Sequence, residues 1–280
     1  MRLSRKTPKI LVWMVLLAAF APSLMPASFG EDAGPDGVEV SWDLIWSFVL
    51  ATDAVNANLS EIDRALIDAS LALSDAGVEG PEAREALDNL TSVGPWVVDC
   101  ITVDLNGTIV EVMPEEYQYV AGTSIIDQEH IERLLSTRRP VGLAYIESVE
   151  GFHAMDFASP IFDEEGRLIG AVTVLVNSTQ LFGTVLAPYQ PEGSAKIWAM
   201  MPDGTVISDT DAEQIGRNTF NDPLFQAFPD LLAVGRRVEM ERSGTGRYEI
   251  SGTTRDVFWT TAGYQGSEIR VLLSVDAPSA

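Results

Sequence analysis

Residues 151–178, GFHAMDFASPIFDEEGRLIGAVTVLVNS, decide the fold of this chain, because they predict two antiparallel strands joined by a tight acidic turn. The first strand runs from His153 to Phe162. Residues 163–166 form the turn, where Gly166 can adopt the positive φ that such a connection needs. The second strand, Arg167 to Val176, is apolar on both faces, which predicts a central strand covered on both sides.

Alternation along the first strand separates two unlike faces of the predicted sheet. One face carries large side chains, at Met155, Phe157 and Ile161. The opposite face carries small side chains and one carboxylate, at Ala154, Asp156, Ala158 and Pro160. A sheet face lined with small residues leaves room for a ligand, and Asp156 would lie in the middle of that face.

Composition describes a globular protein with a strongly acidic surface. The 280 residues can form one or two domains with a real core, and 46% of them are hydrophobic. The formal charge is −23, and it falls to −27 for residues 31–280, which hold 14 of the 18 basic residues and all 41 acidic ones. Such a surface repels phosphate backbones, so we expect no nucleic-acid partner. One cysteine and two histidines supply neither a disulfide framework nor a Cys/His zinc site, so we predict no metal and no cofactor.

The first 30 residues have the pattern of an export signal. A basic start, MRLSRKTPK, leads into the apolar run ILVWMVLLAAF and then a small-residue stretch that ends at Gly30. The apolar run is shorter than the roughly 20 residues that span a bilayer. We therefore favour a cleaved signal peptide at 1–30, and an uncleaved membrane anchor is the alternative. The folded part is expected to be secreted or held at the cell surface.

The rest of the chain divides into a helical part and two strand-rich parts. After a polar leader at 31–41, residues 42–94 predict a long helix from Trp42 to about Ser74, with Ser41 as its N-cap, and a second helix that begins at Pro81. Residues 95–188 predict strand, strand, short helix and three strands, closed by a helix at 178–186. A joint at 189–193 leads to a second unit at 194–276 and a tail at 277–280.

The second unit repeats the first. AKIWAMMPDGTVISD (195–209) echoes VVDCITVDLNGTIVEV (97–112), and GRNTFND (216–222) echoes GTSIID (122–127). Gly107 and Gly204 lie 97 residues apart, and Gly166 and Gly266 lie 100 apart. Two copies at this period, without a third, indicate a duplicated α+β unit with one antiparallel sheet in each copy.

This arrangement resembles the double Cache family of extracellular sensor domains. The resemblance rests on DLNGTIVEV, GTSIID, SPIFDEEGRLIGAVTV, DGTVISDTDAEQIGRN and VFWTTA, and it covers residues 42–276. It implies an α+β fold in which a long N-terminal helix precedes two PAS-like antiparallel-sheet units in tandem. It also implies that the first, membrane-distal unit holds a small ligand, an amino acid, carboxylate or amine, while the second unit relays the change. The chain departs from the family at residues 139–142, Arg-Pro-Val-Gly, where amino-acid-binding members tend to carry an aromatic pair after Arg-Pro.

Six residues of the first unit are candidates for the binding site: Tyr117, Tyr119, Arg138, Arg139, Tyr145 and Asp156. Asp156 could be the counter-ion of a ligand cation, because a buried carboxylate needs a charged or donor partner; the alternative is a bond to nearby loop backbone. One arginine could hold a ligand carboxylate with its planar fork, unless the pair lies in a solvated loop. The tyrosines could wall the pocket or be ordinary half-buried aromatic residues.

Three classes of function remain open at this point. The first is an extracellular sensor module that binds a small organic ligand and presents it to a membrane receptor or transducer. The second is a structural or adhesive surface protein without a ligand. The third, a secreted hydrolase, is disfavoured because the sequence contains no nucleophile elbow, phosphate loop or HExxH motif, so we predict no catalytic residues and no enzyme.

Overall fold

The computed structural model describes residues 40–147, 153–264 and 267–277. The signal peptide predicted at 1–30 lies outside these residues, as do positions 31–39 of the predicted leader and 278–280 of the tail. The long helix, α1, spans Trp42–Ala76. The side chain of Ser41 accepts a hydrogen bond from the backbone N–H of Leu44 at 3.3 Å, which confirms the predicted N-cap. Gly77, with φ of 82°, follows the last helical residue.

The first unit follows a second helix, α2 (Pro81–Thr91). Its strands are β1 (Val97–Val103), β2 (Ile109–Met113), β3 (Val141–Glu147), β4 (His153–Phe162) and β5 (Leu168–Val176). A 3₁₀ helix (Glu115–Val120) and helix α3 (Glu129–Thr137) lie between β2 and β3, and helix α4 (Ser178–Leu186) follows β5. The two strands predicted within 151–178 are confirmed.

The second unit has the same element order with one more helix. A 3₁₀ turn (Ala187–Tyr189) leads to β6 (Lys196–Met200) and β7 (Val206–Ser208). Another 3₁₀ turn (Ala212–Gln214) and helices α5 (Pro223–Gln226) and α6 (Pro229–Met240) come next. Strands β8 (Gly244–Ile250), β9 (Thr253–Tyr264) and β10 (Ser267–Asp276) complete the unit.

Each unit forms one antiparallel sheet of five strands. The strand orders are β2-β1-β5-β4-β3 and β7-β6-β10-β9-β8, so the last strand of each unit is central. The central position of β5 agrees with its apolar character on both faces. The predicted α+β fold, a long helix followed by two PAS-like sheets, is confirmed.

The duplication extends to single hydrogen bonds. Gly107 and Gly204 both have positive φ, 77° and 94°, in the turn after the first strand of each unit. Their carbonyl groups each accept an N–H bond of 2.8 Å, from Ile125 and Thr219 respectively. Both glycines are also closely approached, since an added Cβ would lie 2.6 Å from a side-chain atom in each case. The turn therefore needs glycine twice for the same reasons of φ and space.

One core joins α1 to both sheets. The buried face of α1, which includes Phe48, Val55 and Leu73, packs in the same cluster as β4 of the first sheet and β9 of the second. Met155, Phe157 and Ile161 belong to this cluster, as expected for the bulky face of β4. The opposite face of the first sheet has its own smaller cluster with α3 and the 3₁₀ helix, so the two faces of β4 contact different parts of the chain.

Candidate functional site

The small-residue face of the first sheet carries two buried carboxylates in one row. Strand pairing aligns Ala144, Asp156, Leu175 and Asp99 across β3, β4, β5 and β1. Asp156 and Asp99 therefore flank Leu175 on the same face. Each of the two residues is only 3% exposed, which is rare for aspartate unless it is paired.

A cavity of about 30 Å³ lies over this row, between the sheet and the segment from the 3₁₀ helix to the start of α3. Its polar lining residues are Asp99, Asp156, Gln128 and Thr173. Its apolar lining comes from Ile101, Ile109, Val120, Ile125, Ile146 and Leu175. Small-ligand sites have a lining of this composition, although they usually enclose roughly 300 to 1,000 Å³.

His130, in the first turn of α3, is the partner of Asp156. Its Nε2 lies 2.8 Å from Oδ2 of Asp156, and both side chains are at most 5% exposed. In the tautomer with hydrogen on Nε2, the imidazole donates to the carboxylate. The second carboxylate oxygen, Oδ1 of Asp156, is buried and has no hydrogen-bond partner within the described part of the chain. A buried carboxylate oxygen without a donor costs free energy unless another group binds it.

The lone thiol lies next to the two carboxylates but is closed to solvent. Cys100 follows Asp99 on β1 and is 0% exposed. Burial raises the pKa of Cys100 well above its ordinary value, and the negative charges of Asp99 and then Asp156 raise it further.

We expect Cys100 to be unreactive toward Ellman's reagent in the folded protein, because the thiolate is the reacting species and burial suppresses it. Full reaction should follow denaturation in guanidinium. The measurement is the time course of thiol release at pH 8 with and without denaturant. A native reaction as fast as the denatured one would show that β1 is not buried as described.

The structure separates the six residues predicted for the site. Asp156 lies in the cavity lining, and Tyr117 packs against the apolar cluster on the same side of the sheet. Tyr119 is 68% exposed, and its ring centroid is 6.4 Å from that of Tyr117. Arg138 and Arg139 are both exposed, after the end of α3.

Tyr145 lies on the face of the sheet opposite Asp156. It pairs with Met155 across β3 and β4, and it packs against the core that contains α1. The alternation of β3 thus turns Ile146 toward the cavity and Tyr145 toward the second unit. Tyr145 cannot wall the cavity from that face, so it is not retained in the site.

Four polar residues of the site were not expected from the sequence: Asp99, Gln128, His130 and Thr173. Asp99 is the one charged residue of its strand, VVDCITV, and that was the available signal. Gln128 lies just before a short helix, and His130 lies in the first turn of that helix. The orientation of the helix over the sheet is not encoded in local periodicity, so no sequence pattern indicated either residue.

The described part of the chain has the tandem PAS-like fold of the double Cache class. Residues 57–178, which include the whole first sheet, match the family model described as "HK/GC/Chemotaxis protein-like, sensor domain". The matched part of the chain thus resembles this sensor-domain family, and the resemblance inferred from the motifs is confirmed.

Solved structures of extracellular domains share this fold. An extracellular ligand binding receptor from Desulfohalobium retbaense is 31% identical with a TM-score of 0.73, over 84% of this chain and 40% of that one. The chain therefore spans less than half of that receptor's length. The ligand-binding domain of the amino acid chemoreceptor PctB of Pseudomonas aeruginosa, in complex with L-Arg, is 18% identical with a TM-score of 0.60, over 83% and 93% of the two chains.

A third solved structure is the ligand-binding domain of the chemoreceptor CtaA of Pseudomonas fluorescens in complex with L-isoleucine. It is 16% identical with a TM-score of 0.60, over 84% of this chain and 92% of that one. No curated protein matches the sequence. In the described parts of the chain, none of the helices has both the length and the apolar character required to cross a bilayer.

Proposed function

We propose that this sensor domain binds a small organic amine in the first unit, with the ammonium group of the ligand on Asp156. One observation carries the proposal: Oδ1 of Asp156 is buried and has no partner among the described residues, and Asp156 lines the cavity. An ammonium group supplies three donors and a positive charge, which is what this oxygen lacks.

The charges around the cavity favour a cation over an anion. Two carboxylates, Asp99 and Asp156, line it, and no lysine or arginine is found among its described lining residues. Both arginines that could have held a ligand carboxylate, Arg138 and Arg139, are solvent-exposed. A ligand carboxylate would therefore meet two negative charges in a poorly solvated space without a matching cation, which is unfavourable.

The size of the cavity limits how much of the ligand enters without movement. A volume of about 30 Å³ corresponds to roughly two water-sized groups, enough for an ammonium group and one attached carbon. Binding a longer amine requires the covering segment 115–128 to move away from the sheet. Gln128 belongs to that segment and His130 lies next to it, so the binding of a longer amine would move the segment that carries these polar residues.

Strand β3 offers a route from the cavity to the second unit. Ile146 lines the cavity, while the neighbouring Tyr145 projects from the other face. Burial and then the negative charge of Asp203, in the second unit, raise the pKa of Tyr145. Its hydroxyl also lies 4.0 Å from the position of a Cβ on Gly216. A ligand that displaces Ile146 would therefore change the contact that Tyr145 makes with the second unit. We propose that a membrane transducer receives this conformational change.

Thermal unfolding with a ligand panel tests the proposal. Methylammonium, ethanolamine and L-arginine are compared with acetate and succinate at matched ionic strength. A ligand at 100 times its Kd adds about 2.7 kcal/mol, which for a domain of this size raises Tm by about 5 to 10 °C. Amines should raise Tm, and acids should not. Asp156→Asn should abolish the shift, since it removes the charge and keeps the shape.

Glu164→Gln is the matched control, because it removes one negative charge from the exposed turn of the same hairpin. It should leave the amine shift intact. A shift with acids alone would refute the choice of an amine, and a panel with no shift would favour the structural or adhesive function. We expect no hydrolysis of a chromogenic ester in any of these samples.

A further inference from the structure

Asp99 and Asp156 place two negative charges on one buried face of the first sheet. Both pair with Leu175 of the central strand β5, Asp99 from β1 on one side and Asp156 from β4 on the other. Neighbouring strands lie about 4.8 Å apart, so the Cα atoms of the two aspartates are separated by roughly 9.6 Å. Both residues are 3% exposed, and both line the cavity.

A single ammonium group compensates only part of this charge. His130 contacts Oδ2 of Asp156 at 2.8 Å, while Oδ1 of the same carboxylate has no partner among the described residues. A ligand with one ammonium group, bound at Asp156, would bring one positive charge to a lining that carries two negative ones. Buried carboxylates are stabilised by a nearby opposite charge, so a second cationic group on the same ligand would be favourable at Asp99.

We infer that the ligand of the first unit is a primary diamine, with one ammonium group on Asp156 and the other on Asp99. This inference rests on the amine site proposed above and names the class of amine. Each end of the ligand would be held by charge and by N–H donation to a carboxylate. Leu175 lies between the two aspartates in the cavity lining, where it would contact the methylene groups of the ligand.

The spacing of the two carboxylates limits the length of the diamine. With N–O contacts of about 2.8 Å, nitrogens that lie directly between the carboxylates would be roughly 4 Å apart. Nitrogens that lie above the carboxylates would be roughly 9.6 Å apart. An extended chain advances about 1.25 Å per bond, so diamines of four and five carbons span about 6.3 and 7.5 Å, in the middle of this range. An eight-carbon diamine, at about 11 Å, exceeds it.

The lining also favours N–H donors over methylated cations. Quaternary ammonium groups are recognised through the faces of aromatic side chains, and none of the described lining residues is aromatic. A quaternary group has no hydrogen to donate, whereas Oδ1 of Asp156 is buried and needs a donor. Primary ammonium groups at both ends therefore match the site better than their methylated counterparts.

The floor of the cavity already has the extent that a diamine requires. Asp99, Leu175, Asp156 and Ile146 line it from β1, β5, β4 and β3, so the lining crosses four strands. The volume is about 30 Å³, whereas the six non-hydrogen atoms of a four-carbon diamine need roughly 60 to 90 Å³. The additional space must come from the covering segment 115–128, whose outward movement leaves the strand pairing unchanged.

Isothermal titration calorimetry of the purified protein with a series of amines tests the inference. At pH 7.5 and 150 mM NaCl, 1,4-diaminobutane and 1,5-diaminopentane should bind about tenfold more tightly than butylamine and pentylamine. 1,8-Diaminooctane should lose most of this advantage, because it exceeds the spacing of the carboxylates. The hexamethylated, doubly quaternary analogue of 1,4-diaminobutane should bind about tenfold more weakly than the parent diamine. An advantage that is equal at all lengths would indicate attraction to the acidic surface and would overturn the inference.

Asp99→Asn tests the second anchor, because it removes one charge and keeps the shape of the side chain. The preference for 1,4-diaminobutane over butylamine should fall from about tenfold to about twofold. Glu164→Gln, in the exposed turn, is the matched control and should keep the full preference. An unchanged preference in Asp99→Asn would refute the role of Asp99. The wild-type length series decides the matter if Asp99→Asn does not fold.

Two outcomes for the wild type separate this inference from the function on which it rests. Equal binding of butylamine and 1,4-diaminobutane would refute the diamine and leave the proposed amine site intact. Binding of neither compound would refute both.

Discussion

Replacing His130 with alanine is expected to lower the free energy of unfolding by about 3 to 5 kcal/mol, because it leaves the buried carboxylate of Asp156 without its partner. The Nε2–Oδ2 distance is 2.8 Å, and both side chains are almost completely buried. Oδ1 already lacks a partner, so the variant leaves both oxygens of one carboxylate unsatisfied. The loss should be measured by urea denaturation followed by circular dichroism.

Asp156→Asn is the informative comparison for the same contact. It removes the buried charge but keeps an oxygen that can accept from His130, so its cost should be well below that of His130→Ala. The double variant H130A/D156N should be more stable than H130A alone, since it no longer buries an unpartnered charge. If H130A/D156N were no more stable than H130A, the penalty of His130→Ala would come from lost packing and not from an unpartnered charge.

The sequence predicted the fold to the level of single turns because local signals coincide there with the duplicated pattern. The Asn-Gly turn at Gly107 and its counterpart at Gly204 need glycine for φ and for space, and both needs are visible as a repeated residue. The alternation of large and small side chains along β4 likewise followed the actual division between core and cavity. These features depend on residues close together in the chain.

The candidate site was predicted less completely because its partners come together only in three dimensions. Asp156 stood out as a carboxylate on a small-residue face, but its contact with His130 depends on how α3 lies over the sheet. Asp99 reaches the same row through the β1–β5 pairing, a long-range register that local periodicity does not give. For Tyr145 the face was decided by strand pairing, which turns it to the core side.

Gly170→Ala should destabilise the first sheet by about 3 kcal/mol, although the substitution usually stabilises a protein slightly by restricting the unfolded chain. Gly170 lies on the central strand β5. An added Cβ there would lie 2.4 Å from the backbone oxygen of Val103 and 2.8 Å from a methyl carbon of Val78. A backbone oxygen in a paired strand cannot move aside alone, so β1 and β5 would have to separate. The measurement is the midpoint of urea denaturation against wild type.

Gly183→Ala is the control, because it makes the same chemical change where nothing opposes it. Gly183 is exposed in α4, and no atom outside its own helix backbone and chain neighbours lies within 4 Å of the added Cβ. Its replacement should raise the free energy of unfolding by about 1 kcal/mol through helix propensity. If Gly170→Ala lowered the free energy of unfolding and Gly183→Ala raised it, the close approach of β1 to β5, and not the flexibility of glycine, would be the reason that position 170 requires glycine. If both variants were stabilised, the first sheet could not be packed as tightly at its centre as the distance to Val103 implies.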